Sequence, residues 1–349
     1  GQLAESLRLV KRAVMAFQDA DGHDATARAQ LEFGLVMLGR EQISDARDYF
    51  LLVAGAREAE LHTTLRARIY ETVCLFLQGR YSRVVESIEG HRRRLREHGF
   101  DAWHLFIGFL EGRTLFELGR YAEALSVFQH GLAEARSLDI PAAFRTHHLW
   151  AARSEVYLGN LPHADAVFSG YEKRADLLLY VAESLEQQGR HEDAVAALDE
   201  ALEVLSPAVR TAGELPSWSS GCADLEDLAI GRDRGQRVLE NYIRAYRGYV
   251  LGHAGRLDEA MTQVHELTRR RGLSVIDPYR SHYLFFYSII LSGAGADRLD
   301  EPVTVLGKAV KHLRERTGRI DTYGQKTDFL YSNYWNSRLM EAAKTRNLL

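Results

Sequence analysis

The chain has 349 residues, a net charge of −4 at pH 7, 46% hydrophobic residues and 26% charged ones. That balance belongs to a folded protein and excludes a disordered chain. The weak acidity calls for no nucleic-acid partner. Cys74 and Cys222, the two cysteines, make no disulfide framework, and no run approaches the roughly 18 apolar residues of a membrane span.

In chain order, Leu3, Leu7, Val10, Val14 and Phe17 recur at helical spacing, so 1–20 reads as an N-terminal capping helix. Helical hairpins follow over 25–56, 61–98 and 101–136, the third with Asp101 as its expected N-cap. Asp139-Ile140-Pro141 opens a fourth hairpin, and a compressed fifth ends near 205. The pattern breaks over 206–236, where Pro207, Gly213, Pro216, Gly221 and Gly235 surround Trp218. This insert is expected to be a flap folded on its own repeats or a partner-contacting loop, with Trp218 as its contact residue. Two more hairpins cover 237–271 and 278–315, and Tyr331 to Lys344 reads as a C-terminal capping helix. Pro141, Pro162, Pro278 and Pro302 all fall at helix starts, which fits an all-α chain. The organisation expected is 1–205, the insert 206–236, and 237–349, as one continuous solenoid.

What repeats is the hinge. Glycine ends an apolar helical run at Gly39, Gly79, Gly119 and Gly159, each 40 residues after the last, and again at Gly189 and Gly255. Arg follows it at Arg40, Arg80, Arg120, Arg190 and Arg256. Five residues beyond the glycine stand Val84, Ala124, Ala164, Ala194 and Ala260, small enough for close helix contact. Nine beyond it stand Ile88, Phe128, Phe168, Leu198 and Val264. The first copy carries two extra turn residues, so its small residue is Ala46 and its aromatic Phe50.

With Gly112 seven before the hinge, Ala124 five after and Phe128 nine after, the copy around Gly119 resembles the tetratricopeptide repeat (TPR). The copy at Gly255 keeps Gly248 and Ala260, and the resemblance runs over roughly 25–315. It implies a right-handed superhelical solenoid of about seven hairpins, capped at both ends. It also implies that first helices line a concave groove that holds a partner segment. Carried over, the groove-facing positions are Phe109, Arg113 and Phe116, then Leu149, Arg153 and Val156, then Ala245, Tyr249 and Gly252. On this reading, Arg113→Glu with Arg153→Glu is expected to abolish partner binding and to spare helicity. The Lys/Asn clamp of TPRs that bind chaperone C-termini is not matched.

Two further resemblances bear on function. The ending Asn333-Tyr334-Trp335-Asn336 with Arg338, Leu339, Met340 and Lys344 resembles spirochaetal periplasmic TPR proteins, including those of the flagellar-motor collar. That implies a structural, protein-binding role in the periplasm. The 40-residue period is also similar to that of bacterial peptide-responsive regulators. It implies a sensor module that binds a signal peptide or small ligand and controls an effector. Those regulators carry an N-terminal effector domain, whereas about 24 residues precede the repeats here.

Nothing in the sequence assembles catalytic chemistry. His147 and His148 are adjacent and point about 100° apart on a helix, a poor ligand pair. The acidic pairs Asp258-Glu259 and Asp300-Glu301 fall in first turns, where the helix dipole favours them. The basic runs 91–96 and 269–271 fall at the ends of second helices, for the converse reason. The expectation is a non-enzymatic interaction scaffold with a protein partner, no cofactor, no metal and no nucleic acid.

Overall fold

The structure, a computed structural model, describes residues 22–40, 42–205, 232–269, 279–293 and 300–349, with a few positions between 8 and 16. Sixteen helices, and no strand, occur among the described residues. They pair as α1 (His23–Gly39) with α2 (Ile43–Ala54), α3 (Leu61–Leu77) with α4 (Tyr81–Glu97), and α5 (Asp101–Glu117) with α6 (Tyr121–Ser137). Then come α7 (Pro141–Tyr157) with α8 (Leu161–Ser169), and α9 (Ala175–Gln187) with α10 (His191–Val204). The last hairpins are α11 (Arg232–His253) with α12 (Leu257–Arg269), and α13 (Arg280–Gly293) with α14 (Asp300–Thr317). The chain ends in a short pair, α15 (Tyr323–Tyr331) and α16 (Tyr334–Thr345). This is the expected solenoid of seven TPR-like hairpins.

Hairpins 2 to 6 turn where the glycines stand. Gly79, Gly119, Gly159, Gly189 and Gly255 all have φ between 72° and 84°, a left-handed conformation that strains a side chain. At each, the residue after the glycine donates its N–H back into the preceding helix, as Arg120 does to Leu115 O at 2.9 Å. The turns after hairpins 2 and 3 use the same device. Gly99 (φ 69°) is followed 40 residues later by Asp139 (φ 53°), a residue type that tolerates this region better than most. Gly39 differs from the expected hinge: it is the last residue of α1 and is not among the glycines of positive φ. Asp101 is the first residue of α5, not its cap; Phe100 holds the cap position.

Packing separates an inner from an outer layer. The first helices α1, α3, α5, α7, α9, α11 and α13 touch one another in series as well as their own partners. α5 is buried nearly all round, from His104 to Glu117, with Glu111 the exception. α6 buries one stripe only, Tyr121, Ala124, Phe128, Gly131 and Ala135. A helix enclosed on every side belongs to the interior of a stack, and a striped one to its outside. The joint between the layers is a glycine under an aromatic ring. A Cβ on Gly112 would stand 2.7 and 2.8 Å from Cζ and Cδ1 of Phe128, and Gly34 meets Phe50 in the same way. Ala124 is fully buried at the same joint.

Pro141 is the first residue of α7, Pro162 the second of α8 and Pro302 the third of α14, where a missing N–H leaves no helical bond unmade. Cys74 is buried in α3, where desolvation raises its thiol pKa far above the ordinary value. The expected capping helix at 1–20, the bulk of the 206–236 insert with Trp218, Cys222 and Pro278 lie outside the described residues.

Candidate functional site

Four of the groove positions inferred from the repeat, Phe109, Arg113, Phe116 and Arg153, are brought together in the interior, and Tyr249 lies apart from them against Phe286 and Trp335. Phe109, Arg113, Phe116, Arg153 and Tyr249 are all buried. Trp150, from α7, is the hub of the first four. The Arg113 guanidinium lies 3.9 Å from its ring centroid and the Arg153 guanidinium 4.8 Å. Phe116 meets it edge-on at 5.2 Å, and Phe109 at 6.1 Å. Arg153 also lies over Phe116 and Tyr180 and makes a two-pronged bond to Glu183, at 2.9 Å from Nε and 2.7 Å from Nη2.

Burial works against the charge on Arg153, and Glu183 beside it more than restores it, holding the pKa well above the ordinary value. A desolvated ion pair of this kind survives only with such geometry. The expectation that Arg153→Glu leaves helicity intact therefore needs correcting. Glu against Glu183 in this interior would break the fold. Leu149, Val156 and Ala245 are buried with the set, while Gly252 is half-buried.

Beside this set docks the end of the chain. The last residues of α14, the turn after it and the α15–α16 pair return across the superhelix to hairpins 2 and 3. Arg316 donates to the Tyr81 hydroxyl at 2.9 Å and stands 3.7 Å from Glu117. The Asp321 N–H donates to Ser82 Oγ at 3.0 Å, and Ser82 donates to Gln325 Oε1. One repeat further on, Asn333 Nδ2 donates to the Glu117 carbonyl at 3.1 Å, and the Tyr334 N–H donates to the Tyr121 hydroxyl at 2.8 Å. Tyr334 also packs edge-on against Tyr157 at 5.3 Å.

The run singled out near the C-terminus thus acquires roles at Asn333, Tyr334, Trp335, Asn336 and Arg338. It is not one helix, because Asn333 interrupts it. Asn333 caps α16 by accepting the Asn336 N–H at 3.1 Å while its amide reaches Glu117. Trp335 packs edge-on against Phe286 at 4.8 Å and Tyr249 at 5.4 Å. Asn336 donates to the Phe329 carbonyl at 2.8 Å and pairs with His282 at 3.1 Å. Arg338 donates to the Tyr249 hydroxyl at 3.2 Å and lies over Tyr334 at 4.1 Å. A cap for the end of the stack was expected; the segment also reaches back to the hinge turns of hairpins 2 and 3.

Sequence reasoning missed Trp150, Glu183, Arg316 and the two hydroxyls of Tyr81 and Tyr121. One signal was available. The residue two after the hinge glycine is Tyr in hairpins 2 and 3 but Leu161, His191 and Leu257 in hairpins 4, 5 and 6. Tyrosine stands only where the C-terminus docks.

Other surface features are mixed rather than basic. Arg92 pairs with Glu111 at 2.9 Å, and a shallow hollow beside it is lined by Glu89, Arg92, Arg93, Arg96 and Glu97. Among the described residues no cluster of three His, Cys, Asp or Glu could hold a metal ion, and no helix is long and apolar enough to cross a membrane.

Hinge, joint and inner layer together define a TPR-like helical-repeat superhelix. Known proteins agree. The family model TP_0123_C, described as a C-terminal domain, matches residues 227–347, which takes in α11 to α16. A TPR repeat-containing protein of Treponema pallidum (strain Nichols) is 22% identical over 346 residues, covering 90% of this chain. The chain spans 38% of the length of that relative. Among solved structures, a Rap protein complexed with Competence and Sporulation Factor matches with a TM-score of 0.56. The match covers 100% of this chain and 99% of that one at 10% identity, a likeness of fold.

Proposed function

We propose that this chain is a non-enzymatic interaction scaffold whose superhelix recognises a helical or extended protein segment on its concave side. The observation that carries the reading is the occupied groove. The inner face already binds a polypeptide segment, its own C-terminal pair, through tyrosine hydroxyls, a backbone carbonyl and stacked Arg and Trp. These residue types dominate the energetics of protein interfaces, and TPR-like stacks present such faces to partners. The groove set Phe109, Arg113, Phe116, Arg153 and Tyr249 supports the shape of that face from beneath. A periplasmic setting, within a structure such as the flagellar-motor collar, rests on the resemblance of the 333–344 ending alone.

A second reading has one observation in its favour. The Rap structure that shares this fold over its whole length holds Competence and Sporulation Factor. A sensor module taking a signal peptide or small ligand on the same face would use the same architecture.

Affinity capture of the full chain from extracts of its source cell, with crosslinking mass spectrometry, tests the first reading. One or a few proteins recovered in stoichiometric amount, crosslinked to first helices or to the C-terminal pair, is the expected result. Recovery of this chain alone would remove the scaffold reading and turn attention to peptide and ligand screening.

A further inference from the structure

The docking of the C-terminal pair differs in kind from the rest of the packing. Its outer contacts with the hinge turns are polar and wet. Arg83 meets Asp321 at 3.2 Å with side chains 60% and 54% exposed, and Arg319 reaches the Gln78 carbonyl at 3.4 Å. Its inner contacts are the hydrogen bonds to Tyr81, Ser82, Glu117 and Tyr121 described above, with ring pairs at Tyr81–Phe329 (6.0 Å) and Tyr157–Tyr334 beside them. Part of the pair's apolar surface is satisfied within the C-terminal half, where Trp335 sits on Phe286 and Tyr246. Separation from the hinge turns would therefore uncover these hydrogen-bonding groups, which water can serve, and the two ring pairs, while Trp335 keeps its partners. Interfaces of this polar make-up within one chain behave as transient ones.

The receptor side is shaped for this occupant. A side chain at Gly119 would collide with the backbone of Ser332 and Asn333, whereas Gly159, Gly189 and Gly255 face open space. The hinge of hairpin 3 must lack a Cβ for two reasons, backbone conformation and clearance; the later hinges need only the first. Hydroxyls at Tyr81 and Tyr121, one repeat apart, each meet a donor on the returning segment.

We propose that the segment from Arg316, at the end of α14, through α15–α16 is a reversible clasp. It is an intramolecular ligand of the hinge turns of hairpins 2 and 3, and its release opens the concave face. The proposal rests on the interaction reading above and adds its control. The partner that fits the vacated turns is the start of a helix, offering a backbone N–H to Tyr121 and an amide side chain to the Glu117 carbonyl, as Asn333 and Tyr334 do now.

The test needs no partner. Spin labels at Glu86→Cys and Tyr323→Cys, both exposed positions, in a full chain carrying Cys74→Ala and Cys222→Ser report the distance across the clasp by double electron–electron resonance. The expected result is a dominant short distance with a minor longer one. Tyr81→Phe with Tyr121→Phe keeps the rings and should raise the long-to-short ratio at least tenfold with helicity unchanged. Arg83→Asp should raise it less, and Arg83→Asp with Asp321→Arg should restore it. One unchanged distance in every variant overturns the clasp. That outcome alongside a captured partner would spare the interaction reading; an opening clasp with no captured protein would sink the interaction reading instead.

Discussion

Two glycines in neighbouring hairpins offer a matched test of the repeat joint. Gly90, in α4, has nothing within 4 Å of a would-be Cβ. Gly112, in α5, has the Phe128 ring pressed against it. Both lie in helices, so Gly→Ala brings each the same gain in helix propensity, about 1 kcal/mol. At Gly90 that gain stands alone, and the variant should be more stable by about 0.5–1 kcal/mol.

At Gly112 the ring must retreat by most of an ångström to reach ordinary contact. It is held by Phe109, His147 and Trp150, all with ring centroids within 6.1 Å. Overpacking of a core like this costs about 1–3 kcal/mol. Because the propensity term cancels, the two variants should differ by that overpacking cost, Gly112→Ala being the less stable. Urea unfolding followed by circular dichroism, with equal m-values, measures it. Equal stabilisation of both variants would mean that Phe128 does not sit over Gly112, and the hairpin register would be wrong.

Other expectations follow from the interior. Ala124→Leu should overpack the same joint and lose about 1–3 kcal/mol in the same assay; a neutral result would again misplace the register. Glu183→Gln strips the partner from a buried guanidinium and should cost about 3–5 kcal/mol; a loss under 1 kcal/mol would show Arg153 reaching water. Asn333→Ala removes a helix cap and leaves the Glu117 carbonyl unmet, a loss of about 2–3 kcal/mol, and an unchanged melting temperature would contradict the docking described. Burial holds His91 and His147 at about 4 and His282 at about 3, all below the ordinary 6.5. The unfolded chain protonates them first, so stability is full above pH 6.5 and falls as pH drops towards those values. Each imidazole contributes up to about 1.4 kcal/mol per pH unit. Urea midpoints should therefore decline as pH falls below 6.5, with Glu111 and Glu186, whose pKa values burial raises, acting in the opposite sense. A flat profile would show these rings wet.

The fold was legible because its determinants are local. Gly119 sets a backbone dihedral, Ala124 and Gly112 set a helix–helix distance, and Phe128 fills the gap they leave. Each sits within one hairpin, and repetition turns weak single signals into a strong one. Repeat geometry puts Phe109, Arg113 and Arg153 on first helices, where they are buried. It says nothing about what lies on top of them.

That depends on contacts such as Asn333 with Glu117 and Arg316 with Tyr81, which join residues more than 200 positions apart. No period announces such a contact, and a capping helix and a docked one share the same amphipathic pattern. The one trace was the tyrosine two residues after the hinge in hairpins 2 and 3. In the sequence it reads only as the restart of an apolar stripe, because a hydroxyl's partner does not show in a spacing.

The C-terminal pair is docked on the hinge turns of hairpins 2 and 3, and hydroxyl-radical footprinting of the intact protein tests this most directly. Tyr323 and Tyr331 flank Phe329 on α15 and are 86% and 59% exposed, so they serve as internal standards. Tyr81 and Tyr121 are buried at the docking surface. The result expected is oxidation of these two at least tenfold slower than of Tyr323 and Tyr331. Oxidation of Tyr81 and Tyr121 at the rate of the standards would contradict the docked C-terminal pair.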